Sequence, residues 1–195
     1  PREFDGRSGG RRVVDLAVAE LERAAPTDAV ETVLEHINSS VRTFAKKEGL
    51  DLDEPADLPG TEFAIVKISD AGVEFVQGGD TLIAWQYMDG TIDATKSQTS
   101  VYETGLMGKI AELMHKNGSD RAAFWKDYIP FAREERRQHA NQGTPGDYVV
   151  LDGDPRVLTL SQKKVFAHGE LKRVLLFSDG LADLAEMGDE TTLAA

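Results

Sequence analysis

The feature that most constrains the fold is a hydrophobic run that stops abruptly at an acid and a glycine. Val174–Phe177 supplies four consecutive apolar residues, and Ser178, Asp179 and Gly180 follow directly. An apolar run of this length predicts a strand buried on both faces. Such a strand holds its end rigidly, so Asp179 is a candidate metal ligand or catalytic acid. An ordinary Asp-Gly turn after a strand remains the alternative.

Length, charge and cysteine content limit the class of protein. A chain of 195 residues fits a single domain over 1–195, and 41% hydrophobic with 29% charged residues is typical of a globular protein in water. The net charge of −12 argues against nucleic acid as a partner, because phosphate contacts need a basic surface. No apolar stretch is long enough to span a membrane. Cysteine is absent, which agrees with a cytoplasmic location.

A second acid–glycine pair lies near the start of the chain. Asp5 and Gly6 open a stretch that also contains Gly9 and Gly10. Glycines at this density allow the backbone to approach a ligand closely. A flexible terminus or a cloning remnant would have the same composition.

Apolar periodicity predicts two pairs of helices. One pair occupies residues 11–25 and 28–48, with Thr27 or Asp28 as the cap of the second helix and Gly49 at its end. The other pair occupies 103–140 and is divided at Gly118–Ser119. The arginines from Arg133 to Arg137 are interpreted as a solvated helix face.

Strand signals follow each helix pair. Residues 62–69, 73–77 and 81–87 are separated by short links rich in Gly and Asp, which predicts antiparallel hairpins. Later strands are expected at 148–151, 165–168 and 174–177, and a final one near 188–195. Helices followed by meandering strands indicate an α+β fold.

Three carboxylates share one setting, a turn that contains glycine and borders a strand: Asp5, Asp179 and Asp189. Three acids close together cannot all stay ionised unless a cation offsets their repulsion. Mg²⁺ or Mn²⁺ would do so with oxygen ligands alone. The four histidines lie apart without an i, i+4 pair, which argues against zinc.

Six short motifs then occur in a recognisable order. They are Asp5–Gly10 (D-G-x-x-G-G), Gly60–Thr61, Gly79–Thr81, the segment from Arg133 to Leu151, Ser178–Gly180 (S-D-G) and Asp189–Thr192. In this order the chain resembles the metal-dependent Ser/Thr protein phosphatases of type 2C, in particular the compact bacterial signalling forms similar to the stage II sporulation phosphatase. The resemblance extends over nearly the whole chain.

The resemblance implies a fold, a site and a reaction. The fold would be a four-layer αββα sandwich, two antiparallel sheets flanked by helix pairs. Asp5 would bridge two Mn²⁺ or Mg²⁺ ions, the Gly6 carbonyl would bind one, and Asp179 and Asp189 would complete the ligands. A water that bridges the two ions would hydrolyse phosphomonoesters of a phosphorylated protein, with Asp5 and Asp179 as the catalytic residues.

Other interpretations stay open. Arg7, Arg11 and Arg12 are candidates to bind the substrate phosphate, although arginines at a helix start are often solvated. Only nine residues separate Asp179 from Asp189, where the family usually has a longer segment. A phosphatase-like module that binds phosphoproteins without hydrolysing them is therefore the alternative function. An unrelated α+β domain with turn acids at these positions is a third hypothesis.

Overall fold

The fold is α+β, with helices and small antiparallel sheets in separate layers. A computed structural model describes residues 3–178, apart from the side chains of Val101 and Thr104. The helices are α1 (Gly9–Arg23), α2 (Val30–Lys47), α3 (Ser100–Asn117), α4 (Arg121–His139) and the single-turn α5 (Val157–Leu160). The strands are β1 (Glu3–Phe4), β2 (Arg7–Ser8), β3 (Phe63–Ser69), β4 (Gly72–Gly78), β5 (Leu82–Tyr87), β6 (Ile92–Ala94), β7 (Gln162–Ala167) and β8 (Leu171–Phe177).

Within residues 3–178 the strands form three antiparallel sheets. β1 pairs with β2, the second sheet has the order β3-β4-β7, and the third has the order β6-β5-β8. Short links make β3-β4 and β5-β6 hairpins, whereas β7 and β8 return to these sheets after the helices. The two larger sheets therefore each combine an early hairpin with one late strand.

Two hydrophobic cores lie on opposite faces of the β3-β4-β7 sheet. One face packs against α1 and α2 through Val13, Leu34, Ile37, Phe63 and Val76. The other face meets the β6-β5-β8 sheet through a second set of buried residues, which consists of Phe75, Ile83, Trp85 and Phe166. Three layers, helices on sheet on sheet, follow from these contacts, because each apolar face must be covered. The fourth layer of the predicted sandwich stays a prediction.

The second helix pair has a different role near the candidate site. α3 packs along α4, and α4 reaches the short 3-10 helix Pro55–Asp57 through two arginines. Arg133 Nη1 donates to Asp57 Oδ1 at 2.6 Å, and Arg137 Nε donates to Glu54 Oε1 at 2.9 Å. The paired arginines remain 37% and 38% exposed, as a solvated face predicts, but acids from another segment also pair with them.

Several predictions about the elements need correction. β8 contains the predicted strand at 174–177 but is not buried on both faces, since Leu175 and Leu176 are 48% and 44% exposed. Neither Thr27 nor Asp28 caps α2, because Ala29 is its N-cap and the Asp28 carboxylate accepts from Ala25 N instead. Glu74 Oε2 of β4 accepts from Val30 N at 3.1 Å at the start of this helix. The prediction for 188–195 lies outside the described residues.

No helix within 3–178 has the length and apolarity required to cross a bilayer.

Residues 148–151 form no strand. Tyr148 and Leu151 each make a single isolated bridge, with Ala140 and Thr61 respectively. The segment has the apolar run of a strand because Val149, Val150 and Leu151 are all buried. Burial of a loop therefore produced the same pattern as burial of a strand.

Candidate metal and phosphate site

Asp5 and Gly6 form the tip of the β1-β2 hairpin. Phe4 pairs with Arg7 in the register, so Asp5 and Gly6 are a two-residue loop. Both residues have left-handed backbone, with φ of 52° and 72°. This conformation matches the twist of a tight hairpin, and Asp-Gly is among the pairs that adopt it most readily. The predicted turn is therefore present, and the Asp5 side chain is exposed at its tip.

The hairpin is anchored on both sides of the turn. Phe4 is 5% exposed and packs edge-on against Phe44 of α2, with 5.2 Å between the ring centroids. Ser8 is the N-cap of α1, and its Oγ accepts from Arg11 N at 3.3 Å. A buried ring before the turn and a capped helix after it hold the Asp5 carboxylate in a defined place.

The Asp5 carboxylate is available for a ligand. Within residues 3–178 it has no hydrogen-bond or ion-pair partner, and within the same part of the chain no group of three His, Asp or Glu side chains converges. One carboxylate and the Gly6 carbonyl are oxygen donors of the kind that Mg²⁺ and Mn²⁺ take. They fit a cation but are too few to hold it alone. The other predicted ligands, Asp179 and Asp189, lie outside the described residues.

The end of β8 borders a cavity that α1 also lines. Phe177 is the last residue of β8, and it lines a cavity of about 400 Å³ together with Val14 of α1 and Thr61. The same two segments also meet one turn earlier in α1. Gly10 packs against Gly60, the residue before Thr61: a Cβ on Gly10 would stand 3.3 Å from the Gly60 carbonyl oxygen. β8 therefore ends at a cavity that is also lined by Thr61 and by α1 from Val14 to Leu21.

The three candidate phosphate-binding arginines have different surroundings. Arg7 Nη1 donates to Asp15 Oδ2 of α1, and Arg11 Nε lies 3.3 Å from Asp15 Oδ1. The Arg7 and Arg11 side chains remain 52% and 65% exposed. Arg12 instead lies over the Phe44 ring, with its Cζ 5.4 Å from the centroid. Arg7 and Arg11 thus remain accessible beside the turn, whereas Arg12 is engaged in packing.

A cleft opens behind the start of α1. Its volume is about 670 Å³, and its walls come from Ser8–Gly10, from the loop over 49–60, and from Arg133 and Arg136 of α4. Two of its glycines lie close to neighbouring side chains. A Cβ on Gly9 would stand 2.9 Å from Pro59 Cβ, and a Cβ on Gly60 would stand 2.8 Å from Arg136 Nη2. A side chain at Gly9 would collide with Pro59, and one at Gly60 would require Arg136 and Val150 to shift.

A buried acid lies behind Gly60. Asp152 is 1% exposed, and its Oδ1 accepts from Asn141 Nδ2 at 3.1 Å and from Asp154 N at 3.0 Å. Its Oδ2 faces Arg136 Nη2 at 3.7 Å, which is too long for a hydrogen bond. Burial raises the pKa of Asp152 from 3.8 to about 6, although the Arg136 charge acts in the opposite direction.

Asn141 fixes the segment that carries this acid. It has left-handed backbone with φ of 56°, and its side chain forms two bonds with Val150, donating to the carbonyl at 2.9 Å and accepting from the amide at 3.0 Å. Sequence reasoning did not identify Arg136, Asn141 or Asp152 as functional residues. The available signal was Asp152–Gly153 after a buried apolar run, the same pattern that drew attention to Asp179.

Comparison with known proteins adds no assignment. No family model matches the chain, and the curated proteins and the solved structures contain no match either. The resemblance to type 2C phosphatases therefore rests on motifs in the chain and stays a prediction.

Proposed function

We propose that the protein is a metal-dependent phosphoprotein phosphatase that hydrolyses Ser/Thr phosphomonoesters. The observation that supports this most directly is the Asp5 carboxylate, exposed and without a partner among residues 3–178, at the tip of an anchored hairpin. A carboxylate held in this way without a structural partner is suited to bind a cation. The four-layer sandwich and a cytoplasmic location belong to the same proposal.

The proposed ligands come from two parts of the chain. Asp5 and the Gly6 carbonyl would bind from the hairpin, and Asp179 and Asp189 from the segment after β8. Phe177 lines one cavity with Val14 and Thr61, and Asp179 follows Phe177 by two residues, which is the observation that supports a common site. Two bound Mn²⁺ or Mg²⁺ ions would supply activation of water and neutralise charge on the phosphoryl oxygens.

The chain's own residues would orient the substrate. Arg7 follows the turn directly, and its ion pair with Asp15 is exposed, so that pair contributes little stability. A phosphate dianion accepts two parallel hydrogen bonds from a guanidinium, and it can therefore displace Asp15 from Arg7. Arg11 is placed similarly on Asp15. Arg12 fits this role less well because its guanidinium lies over Phe44.

The test is Mn²⁺-dependent hydrolysis of p-nitrophenyl phosphate by the wild type, Asp5→Asn and Asp179→Asn. We expect the rate of both variants to fall by roughly two orders of magnitude or more, because each loses a charged ligand. Asp89→Asn is the matched control: Asp89 also precedes a glycine in an exposed hairpin turn, between β5 and β6. Its rate should equal that of the wild type.

Folded wild-type protein that shows no Mn²⁺-dependent hydrolysis would contradict the proposal. In that case, binding of a phosphopeptide without turnover would indicate the non-catalytic module instead.

A further inference from the structure

A continuous series of close contacts connects the start of α1, next to the Asp5–Gly6 turn, to α4. Gly9 packs on Pro59, and Gly10 packs on the carbonyl of Gly60. Gly60 in turn lies against Arg136 Nη2 and Val150 Cγ2, where a Cβ would stand 2.8 Å from each. Since protein interiors are close-packed, these contacts form a route by which the placement of Gly60 would affect the start of α1.

Gly60 has little freedom to absorb such a displacement. Its neighbour Thr61 exchanges two backbone hydrogen bonds with Leu151, at 3.3 and 2.9 Å. Asp152 comes next in the chain, and its Cβ lies 3.4 Å from the position of a Cβ on Gly60. The segment over 59–61 is thus held between the start of α1 on one side and the Arg136–Asp152 pair on the other.

Arg136 itself is incompletely bonded. Its Nε and Nη2 are buried and have no hydrogen-bond partner among the described residues, and the Asp152 carboxylate stands 3.7 Å away. Buried donors without acceptors are unfavourable, so fold stability alone does not account for an arginine here. Its neighbours Arg133 and Arg137 are both paired with acids of the 54–57 segment.

We propose that Arg136, with Asp152 behind it, is a positioning residue that sets the location of the α1 start and of the Asp5–Gly6 turn through Gly60. The role rests on the proposed function, since the turn matters to the reaction only if Asp5 binds the cation. Residues that orient a ligand from behind commonly change metal affinity by about 10- to 100-fold when they are substituted.

The test compares Arg136→Lys and Gly60→Ala with Arg133→Lys. Lysine keeps the charge of Arg136 but loses the planar group that packs on Gly60, and alanine at 60 forces the contact apart. Arg133→Lys is the matched control, because Arg133 lies one turn earlier on α4 and lines the same cleft. Two readouts are used: amide hydrogen exchange over 5–12, and the Mn²⁺ concentration that gives half-maximal hydrolysis.

We expect Arg136→Lys and Gly60→Ala to speed exchange over 5–12 by about tenfold, while exchange over β4 stays unchanged. The half-activating Mn²⁺ concentration should rise by about tenfold, and the rate at saturating Mn²⁺ should stay near that of the wild type. Arg133→Lys should change none of these values. The Arg136→Lys/Gly60→Ala double variant should change exchange over 5–12 by less than the sum of the two single effects, because both substitutions act through one contact.

Unchanged exchange over 5–12 in Arg136→Lys and Gly60→Ala would overturn the positioning role. Equally faster exchange over 5–12 and β4 would also overturn it, since that result indicates general destabilisation. The exchange readout does not depend on hydrolysis. If the wild type is inactive but exchange in the two variants is faster only over 5–12, the phosphatase proposal is rejected. The coupling between Arg136 and the turn is then retained.

Discussion

Asp152 shows how one buried carboxylate gives the molecule a pH dependence. In the unfolded chain its pKa has the ordinary value of 3.8, whereas in the folded protein burial raises the pKa to about 6. The folded state therefore binds the proton more tightly than the unfolded state. Its contribution to stability is most favourable below pH 4, decreases as the pH rises through 6, and levels off near pH 7.

We expect Asp152→Asn to remove this component of the pH dependence. The difference between the folded and unfolded pKa of Asp152 corresponds to a free energy on the order of 3 kcal/mol. The wild type should lose this amount of its free energy of unfolding between pH 4 and pH 7, and the variant should not. Asparagine keeps an oxygen for the bonds from Asn141 and Asp154. The measurement is the free energy of unfolding in urea at several pH values. Parallel curves for the two proteins would contradict the expectation.

At the scale of single residues, the sequence predicted what depends on neighbours in the chain. Asp5 and Gly6 were expected in a turn because glycines are dense in this stretch, and the structure confirms the turn, with left-handed backbone at both residues. The burial of the Arg136 Nε and Nη2 atoms was missed, because it depends on contacts with residues far along the chain, such as Gly60, 76 positions away. Helix periodicity shows which face is apolar but not which polar residue a distant loop will cover.

At the scale of elements, the β1-β2 hairpin depends on the backbone freedom of Gly6. We expect Gly6→Ala to lower the free energy of unfolding by about 1 kcal/mol, because a side chain disfavours left-handed backbone. A Cβ there would meet no atom within 4 Å, so the effect is conformational and not steric.

Gly105→Ala is the control for this substitution. Gly105 lies within α3, its Cβ would also meet nothing within 4 Å, and its φ is not positive. Alanine there should raise stability by about 0.5–1 kcal/mol, since it favours the helix. Urea unfolding of the two variants measures both shifts. Shifts of the same sign would show that backbone conformation does not govern these positions.

The elements that were predicted well have strong periodicity. α2 runs from Val30 to Lys47 because its apolar stripe is sustained over several turns, and Gly49 with φ of 67° follows its end. β6 and α5 were missed, since they contain three and four residues and carry too little pattern. Residues 148–151 were misassigned because burial alone, without ladder pairing, produces the apolar run of a strand.

At the scale of the whole molecule, the α+β class followed from the order of helices and hairpins, but the layering needed the structure. Strands β3 and β4 belong to both cores: Phe63 and Val76 face α1 and α2, whereas Phe75 faces Trp85 across the sandwich. Alternation along a strand that is buried on both faces does not reveal which partner covers which face. Late strands such as β7 and β8 join these sheets only through long-range pairing.

Because one sheet carries both cores, we expect the described part of the chain to unfold in a single transition. The chain has two tryptophans: Trp85 is 4% exposed in the core between the sheets, and Trp125 is 48% exposed on α4. In Trp125→Phe, fluorescence therefore reports the sheet-to-sheet core, and far-UV circular dichroism reports mainly the helices. The two urea curves should coincide. Adding Phe75→Ala should lower the free energy of unfolding obtained from each curve by the same amount, about 3–5 kcal/mol. Separate transitions, or a shift of the fluorescence curve alone, would show that α1 and α2 remain folded on the sheet after the sandwich has opened.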